Sequence, residues 1–131
     1  MNPDTIATFG ADYCVIDTHN LFVCATLEDE ILILGDDQSL FADLVDDARR
    51  FGLTPEPRRQ LQSYSGGEQA ILACLLLMRL SFPITRPILL VHVLETLSSR
   101  NRDLLLRFFA LRRPQTRLFT LTADGPHALS A

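Results

Sequence analysis

The chain of 131 residues contains no lysine; all twelve of its basic residues are arginines. Mechanisms that require a lysine are therefore excluded: a Schiff base, a lysine general base, and the lysine of a phosphate-binding P-loop. Cysteine is also scarce. Cys14, Cys24 and Cys74 are too few and too irregularly spaced for a disulfide framework, and Cys74, inside an apolar run, reads as a small core residue. No C-x-x-C pair or His/Cys cluster points to zinc, and His19, His92 and His127 lie far apart in sequence, so no metal site is expected. The longest unbroken apolar run, Ala70 to Met78, is too short to span a bilayer. Met1 to Gly10 has neither the basic start nor the apolar stretch of a secretory leader. These absences lead to the expectation of a soluble, cytoplasmic protein with no membrane partner.

The residues that are present make a chain 47% hydrophobic and 21% charged, with a formal charge of −4. That predicts a single domain over residues 1–131 with a sizeable core. The acidic balance argues against a dedicated nucleic-acid binder, so any nucleic-acid role is expected to be indirect. Charge is uneven: residues 1–60 carry −8 and residues 61–131 carry +4. Segregated solvated faces account for this, and so does a basic half that docks an acidic partner or a phosphate.

Tyr13–Ile16 and Leu21–Ala25 are short β-rich runs separated by Asp17-Thr-His-Asn20, a spacing that predicts a hairpin, with Glu28-Asp-Glu30 as the next turn. Ile31–Leu34 is continuously apolar and predicts a strand buried on both faces. After Gly35-Asp-Asp-Gln-Ser39, in which Ser39 is a candidate cap, Leu40, Phe41, Leu44, Val45 and Ala48 recur at helical spacing until Phe51-Gly52. Pro55 and Pro57 mark an irregular connection. Gln69–Leu80 predicts a buried helix, Ile88–Val93 a second buried strand, and Ser98 or Ser99 the cap of a helix to about Leu111. Arg117–Thr122 predicts a third strand, and the tail from Ala123 a loose end. The expected fold is therefore α/β: a small sandwich with a mainly parallel central sheet and an N-terminal antiparallel hairpin.

Tyr64-Ser-Gly-Gly-Glu-Gln69 heads the buried helix. A serine and two glycines before a helix N-terminus present free N–H groups and the positive end of the helix dipole, which suits an anion. An ordinary glycine turn, with Ser65 as cap and Glu68 at the capping-box position, fits equally. The segment Ser65, Gly66, Gly67, Glu68 resembles the signature motif of ABC-type ATPases, in the form closest to the SMC and RecF-like chromosome-maintenance branch. The segments C-terminal to it match that family in order: signature helix, Arg86-Pro87, the Walker B-like strand Ile88–Val93, the D-loop-like Leu97-Ser98, a helix from Arg100 to Ala110, and the strand Arg117–Thr122. The resemblance covers about residues 62–124 and reaches residues 31–51 weakly.

The departures are specific. At the Walker A position stand Gly35, Asp36, Asp37, Gln38 and Ser39, without the second glycine and the lysine, and with two carboxylates that repel a triphosphate. The Walker B acids are replaced by His92-Val93, and Glu95 lies three residues beyond His92, out of step for a general base. The D-loop aspartate reads as Ser98 or Ser99, and the switch histidine has no counterpart in Leu121–Asp124. A helical lobe or coiled coil between Walker A and signature is expected to be absent. Phosphoryl transfer needs a phosphate cradle, a metal site and a water-positioning base. The resemblance thus implies a non-catalytic ABC-ATPase-like domain with no cofactor of its own, and ATP only if a partner subunit holds it. In this family the signature closes over nucleotide held by the partner. The leading expectation is a regulatory or structural partner that supplies Ser65, Gly66 and Gly67 to an intact ABC-type ATPase. The alternatives are a nucleotide-independent interaction module, such as a homodimer, and a degenerate anion-binding domain. His92 reads most simply as a neutral histidine satisfied at a strand end by a backbone or hydroxyl group, with a metal role beside Glu95 or Asp124 as the remaining option.

Overall fold

The structure is a computed structural model and describes residues 8–34, 38–79 and 85–129. The chain is mixed α/β and divides into two compact units: residues 1–19 together with 82–131, and residues 20–81.

The first unit is built on a four-stranded sheet of β1 (Cys14–Asp17), β2 (Ile88–Val91), β3 (Leu118–Thr122) and β4 (Gly125–Ala128), in that spatial order. The strands β1, β2 and β3 run parallel, with Asp17 opposite Val91 and Leu89 opposite Phe119; β4 returns antiparallel to β3. The all-apolar run Ile88–Val91 becomes the inner strand β2, and its four residues are fully buried, as a continuous hydrophobic run in a parallel sheet should be. A single-turn 3-10 helix, Leu94–Thr96, leads to a helix over Ser99–Arg112. Ser98 caps that helix by accepting from Asn101 N–H at 3.2 Å; of Leu104, Leu105, Phe108 and Phe109, whose spacing predicts an inward face, the last three are buried and Leu104 is half-exposed. Tyr13 meets Phe119 edge-to-face at 5.4 Å, tying the residue before β1 to β3.

Among its described residues the second unit holds three α-helices, α1 (Leu27–Ile33), α2 (Gln38–Arg49) and α3 (Gly66–Arg79), and a 3-10 turn, Leu61–Ser63; the Ser99–Arg112 helix is α4. In α2, Leu40, Leu44 and Ala48 are buried on one face. The helix stops where Gly52 takes φ +79°, a left-handed conformation that glycine adopts without penalty; Leu53 N–H then donates back to Ala48 O at 3.0 Å. α3 packs against α2 and buries seven residues, including Leu72, Cys74 and Leu75. Burial pushes the Cys74 thiol up to about 12, which makes it an inert core residue. Asp47 of α2, itself buried, receives two bonds from the Arg79 guanidinium of α3, at 2.8 and 3.0 Å.

Several expectations are corrected. Leu21–Ala25 is irregular rather than a strand, so the hairpin expected with Tyr13–Ile16 does not form; the antiparallel strand is β4, in the stretch expected to be loose. Thr122 Oγ1 donating to Gly125 O at 2.8 Å closes that C-terminal turn. Ile31, Leu32 and Ile33 belong to α1, and Leu34 caps it. Thr26 supplies the N-cap, accepting from Asp29 N–H at 3.2 Å, and Glu28, Asp29 and Glu30 lie at the positive end of the helix. These start signals decide the conformation of a four-residue apolar run that has no period of its own. The third strand of the parallel set is therefore β1, and among the described residues no strand precedes the Walker A-like position directly.

Candidate functional site

The loop before α3 is anchored from below. Tyr64 is buried, its hydroxyl accepts from Glu56 N–H at 2.9 Å, and the Arg59 guanidinium lies 3.9 Å over its ring. Arg59 also donates to Ser63 Oγ and Ser63 O at 2.8 and 3.0 Å. From the helix side, the Gln69 amide donates to Tyr64 O at 3.0 Å. Leu61 N–H donates to Ala25 O at 2.7 Å, which ties this segment to the approach to α1.

On this base Ser65 and Glu68 form both arms of a capping box. Ser65 N–H donates to Glu68 Oε1 at 2.8 Å, and Glu68 N–H donates to Ser65 Oγ at 3.1 Å. The N–H groups of Gly66 and Gly67 take no part in the box and lie in the first turn of a 14-residue helix. Ser65 and Gly66 are exposed, and Gly67 and Glu68 half-exposed. Gly66 has an ordinary negative φ, and a Cβ built on it meets nothing within 4 Å. Neither backbone conformation nor packing in this chain therefore requires glycine there. Replacing Gly66 with Ala is expected to leave the fold intact and to raise stability by about 0.5 kcal/mol, measured by urea unfolding; a loss of about 1 kcal/mol or more, on the order of a strained or crowded site, would refute the geometry.

The electrostatics differ from the expectation based on the two halves of the sequence. Residues 20–81 hold ten acids and five arginines, a net −5, and the basic excess of the second half lies mostly outside this unit. The arginines before the loop are Arg58, paired with Glu28 at 3.2 Å, and Arg59, stacked on Tyr64. A phosphate at Gly66 and Gly67 would rely on N–H groups and the helix dipole, with the Glu68 carboxylate partly offset by its bond from Ser65 N–H.

The Walker A-like residues Gly35, Asp36 and Asp37 lie outside the described residues, as does the Gln38 side chain; Gln38 opens α2 and Ser39 sits within it rather than capping it. At the Walker B-like position, His92 is in the left-handed region at φ +60°, directly after the buried β2. Its Nδ1 lies 3.0 Å from Glu95 Oε2. The partner of His92 is thus a carboxylate, not the backbone or hydroxyl group expected for it.

Two further carboxylates carry no signal of their own in the sequence. Glu30, buried in α1, accepts from Val23 N–H and Cys24 N–H at 2.6 and 2.7 Å and orders the 21–25 segment. Asp17, buried at the end of β1, accepts from His19 N–H at 3.0 Å, and His19 Nδ1 is 3.4 Å from the same oxygen. The His19 and His92 rings face each other edge-on with centroids 6.5 Å apart. Both follow parallel strands, at the carboxyl edge where open α/β sheets commonly place ligands. In the same unit a groove of about 260 Å³ between α4 and the β3–β4 pair is lined by Phe109, Arg113, Arg117 and Phe119 and holds none of the site residues expected from the sequence.

Comparison with known protein families and with curated proteins returns no match to this chain. Among the described residues no helix is long and apolar enough to cross a membrane.

Proposed function

We infer that the chain is a non-catalytic ABC-ATPase-like protein that presents Ser65, Gly66 and Gly67 to nucleotide held by a catalytic ABC-type ATPase. The observation that carries this reading is Gly66. It is an exposed glycine at a helix start, its own fold does not require it, and the free N–H groups of Gly66 and Gly67 stand beside a closed capping box. A missing Cβ at such a place allows close approach of a ligand to the backbone. The order of segments from Ser65 to Thr122 and the likeness of Ser65–Glu68 to the family signature supply the ligand class. The absence of lysine from the chain supports a role without ATP hydrolysis of its own.

Titration of the chain into the ATPase assay of an intact ABC-type ATPase from the same genome tests this. A change in rate is expected, together with association that requires ATP. Ser65→Arg, which places a long side chain in the loop, should abolish both effects, and Gly66→Ala should weaken them without loss of stability. An unchanged rate at saturating chain overturns the reading.

A second reading, a nucleotide-independent interaction module, has one observation in its favour. Val23, Leu32 and Ile33 in the second unit are large apolar residues 86%, 65% and 58% exposed. Association that is equal with and without ATP and insensitive to Ser65→Arg would select it.

A further inference from the structure

We propose that His19 and His92 form a two-imidazole site for a borderline transition-metal dication such as Zn²⁺. The site lies wholly within the sheet-bearing unit and is independent of the signature loop. Its first support is the state of the rings. His92 Nδ1 lies 3.0 Å from Glu95 Oε2 and His19 Nδ1 3.4 Å from Asp17 Oδ1. Nδ1 of His92 thus faces a hydrogen-bond acceptor, and Nδ1 of His19 lies between the Asp17 carboxylate and Thr18 Oγ1, also 3.4 Å away, so on both rings Nδ1 is the nitrogen turned to protein groups and Nε2 the nitrogen offered to a metal. Histidines backed in this way by a carboxylate are the usual donors to protein-bound metals, because the second group sets the tautomer and raises the basicity of the ring.

The second support is that the backbone, not a chance rotamer, brings the rings together. Asp17 pairs with Val91 across β1 and β2, which places both histidines just beyond adjacent parallel strand ends. The turn after β1 is held by the bond from His19 N–H to Asp17. The turn after β2 is fixed by the left-handed backbone of His92, a conformation uncommon outside glycine that tends to persist where a site depends on it. Asp17 is itself buried, so its orienting carboxylate has little freedom to turn away.

The third support is distance. With a zinc–nitrogen bond of about 2.1 Å, two imidazole centroids sharing one ion lie about 5 Å apart at a tetrahedral angle and about 6.4 Å apart when collinear. The observed 6.5 Å lies just beyond the collinear limit, so the rings must close by about 1.5 Å to share a tetrahedral ion, a movement open to side chains that are both more than half exposed. Among the described residues no three His, Cys, Asp or Glu side chains are grouped to enclose a metal. The site is therefore an open chelate with water in its remaining positions. Imidazole nitrogen favours Zn²⁺, Cu²⁺ or Ni²⁺ over the hard cations Mg²⁺ and Ca²⁺.

Calorimetric titration of the full chain with Zn²⁺ alone, and separately with Mg²⁺ alone, tests this. One Zn²⁺ per chain should bind, with no comparable Mg²⁺ signal. His19→Ala and His92→Asn should each weaken Zn²⁺ binding on the order of 100-fold, because loss of one donor removes the chelate gain. Asparagine is chosen at position 92 because it tolerates left-handed backbone, and melting curves of the two variants confirm that they are folded. Glu95→Gln should weaken binding about tenfold while leaving both donors in place. In the wild-type chain, the nitrogen chemical shifts of both histidine Nε2 atoms should move together on Zn²⁺ addition. Zn²⁺ binding of equal affinity in the wild type and in both histidine variants would place the metal on the cysteine thiols or elsewhere and overturn the proposal. So would tighter binding of Mg²⁺ than of Zn²⁺, or the absence of saturable binding in the wild type.

Discussion

Asp47→Ala should lower the unfolding free energy by about 2–3 kcal/mol, read as a fall of roughly 10 °C in the melting midpoint. Arg79 reaches the buried Asp47 carboxylate with two parallel bonds at 2.8 and 3.0 Å, the bidentate geometry in which guanidinium–carboxylate pairing is strongest. Among the described residues, without Asp47 the guanidinium, 28% exposed, keeps the weaker approach of Asp43 at 3.9 Å and the longer-range attraction of Asp46. Breaking a fully buried pair by removing one partner costs about 3–5 kcal/mol; the partial exposure of Arg79 puts this case at or below the lower end. Asp43→Ala, on the exposed side of the same arginine, should change stability by less than about 1 kcal/mol. Equal effects of the two substitutions would show that the α2–α3 clamp is not centred on Asp47. Replacing Asp47 and Arg79 together with apolar residues of similar size should recover much of the loss, since the cost lies in leaving one charge unpaired.

Glu30→Ala should be of similar size, about 2–3 kcal/mol, and should act first on the 21–25 segment. One buried carboxylate oxygen accepts both Val23 N–H and Cys24 N–H, and hydrogen bonds to a charged group contribute about 1.5–3 kcal/mol each before shared geometry reduces the sum. Glu30→Gln retains a carbonyl oxygen at the same reach and should cost about half as much. Amide hydrogen exchange separates the two effects. In the alanine variant, Val23 and Cys24 should lose protection well before the α3 core does. Unchanged protection at those two amides would show that the loop is ordered by something other than Glu30.

Residues with strong period or strong punctuation are legible in the sequence. The 3.6-residue spacing of Leu40, Leu44 and Ala48, the glycine stop at Gly52, the serine cap before α4 and the all-apolar β2 each have one dominant physical signal, and each forms as expected. The capping-box alternative for Ser65 and Glu68 is realised in both arms. Sequence and structure part where the signal is hydrophobicity alone. Ile31–Leu34 reads as doubly buried because it is apolar, yet Leu32 and Ile33 on α1 and Leu34 at its C-terminal cap are exposed. Apolar residues on a surface are common, and the decisive feature is the Thr26-Leu-Glu-Asp29 start signal, whose cap outweighs the apolar run behind it. Glu30 escapes sequence reasoning for the converse reason. A charged triplet suggests a solvent-facing turn, and burial of one member becomes visible only when the two amides that satisfy it are in place. The His19–His92 pair is beyond reach of local pattern, because it depends on β1 pairing with β2 across more than seventy residues of chain. His19 and His92 share only their position just after a strand end.

The short antiparallel β4 has a consequence for how this protein behaves in a crowded solution. In its pairing with β3, Leu129 N–H bonds inward to Leu118 O, so by alternation the backbone of Pro126 and Ala128 faces away from the sheet. Proline has no N–H to offer, which leaves Ala128 as the one outward donor along the strand. An incoming strand from another molecule would find one N–H donor where a free edge of this length presents two. By placing Pro126 in this edge strand, the chain makes the β4 side of the sheet a poor template for edge-to-edge growth.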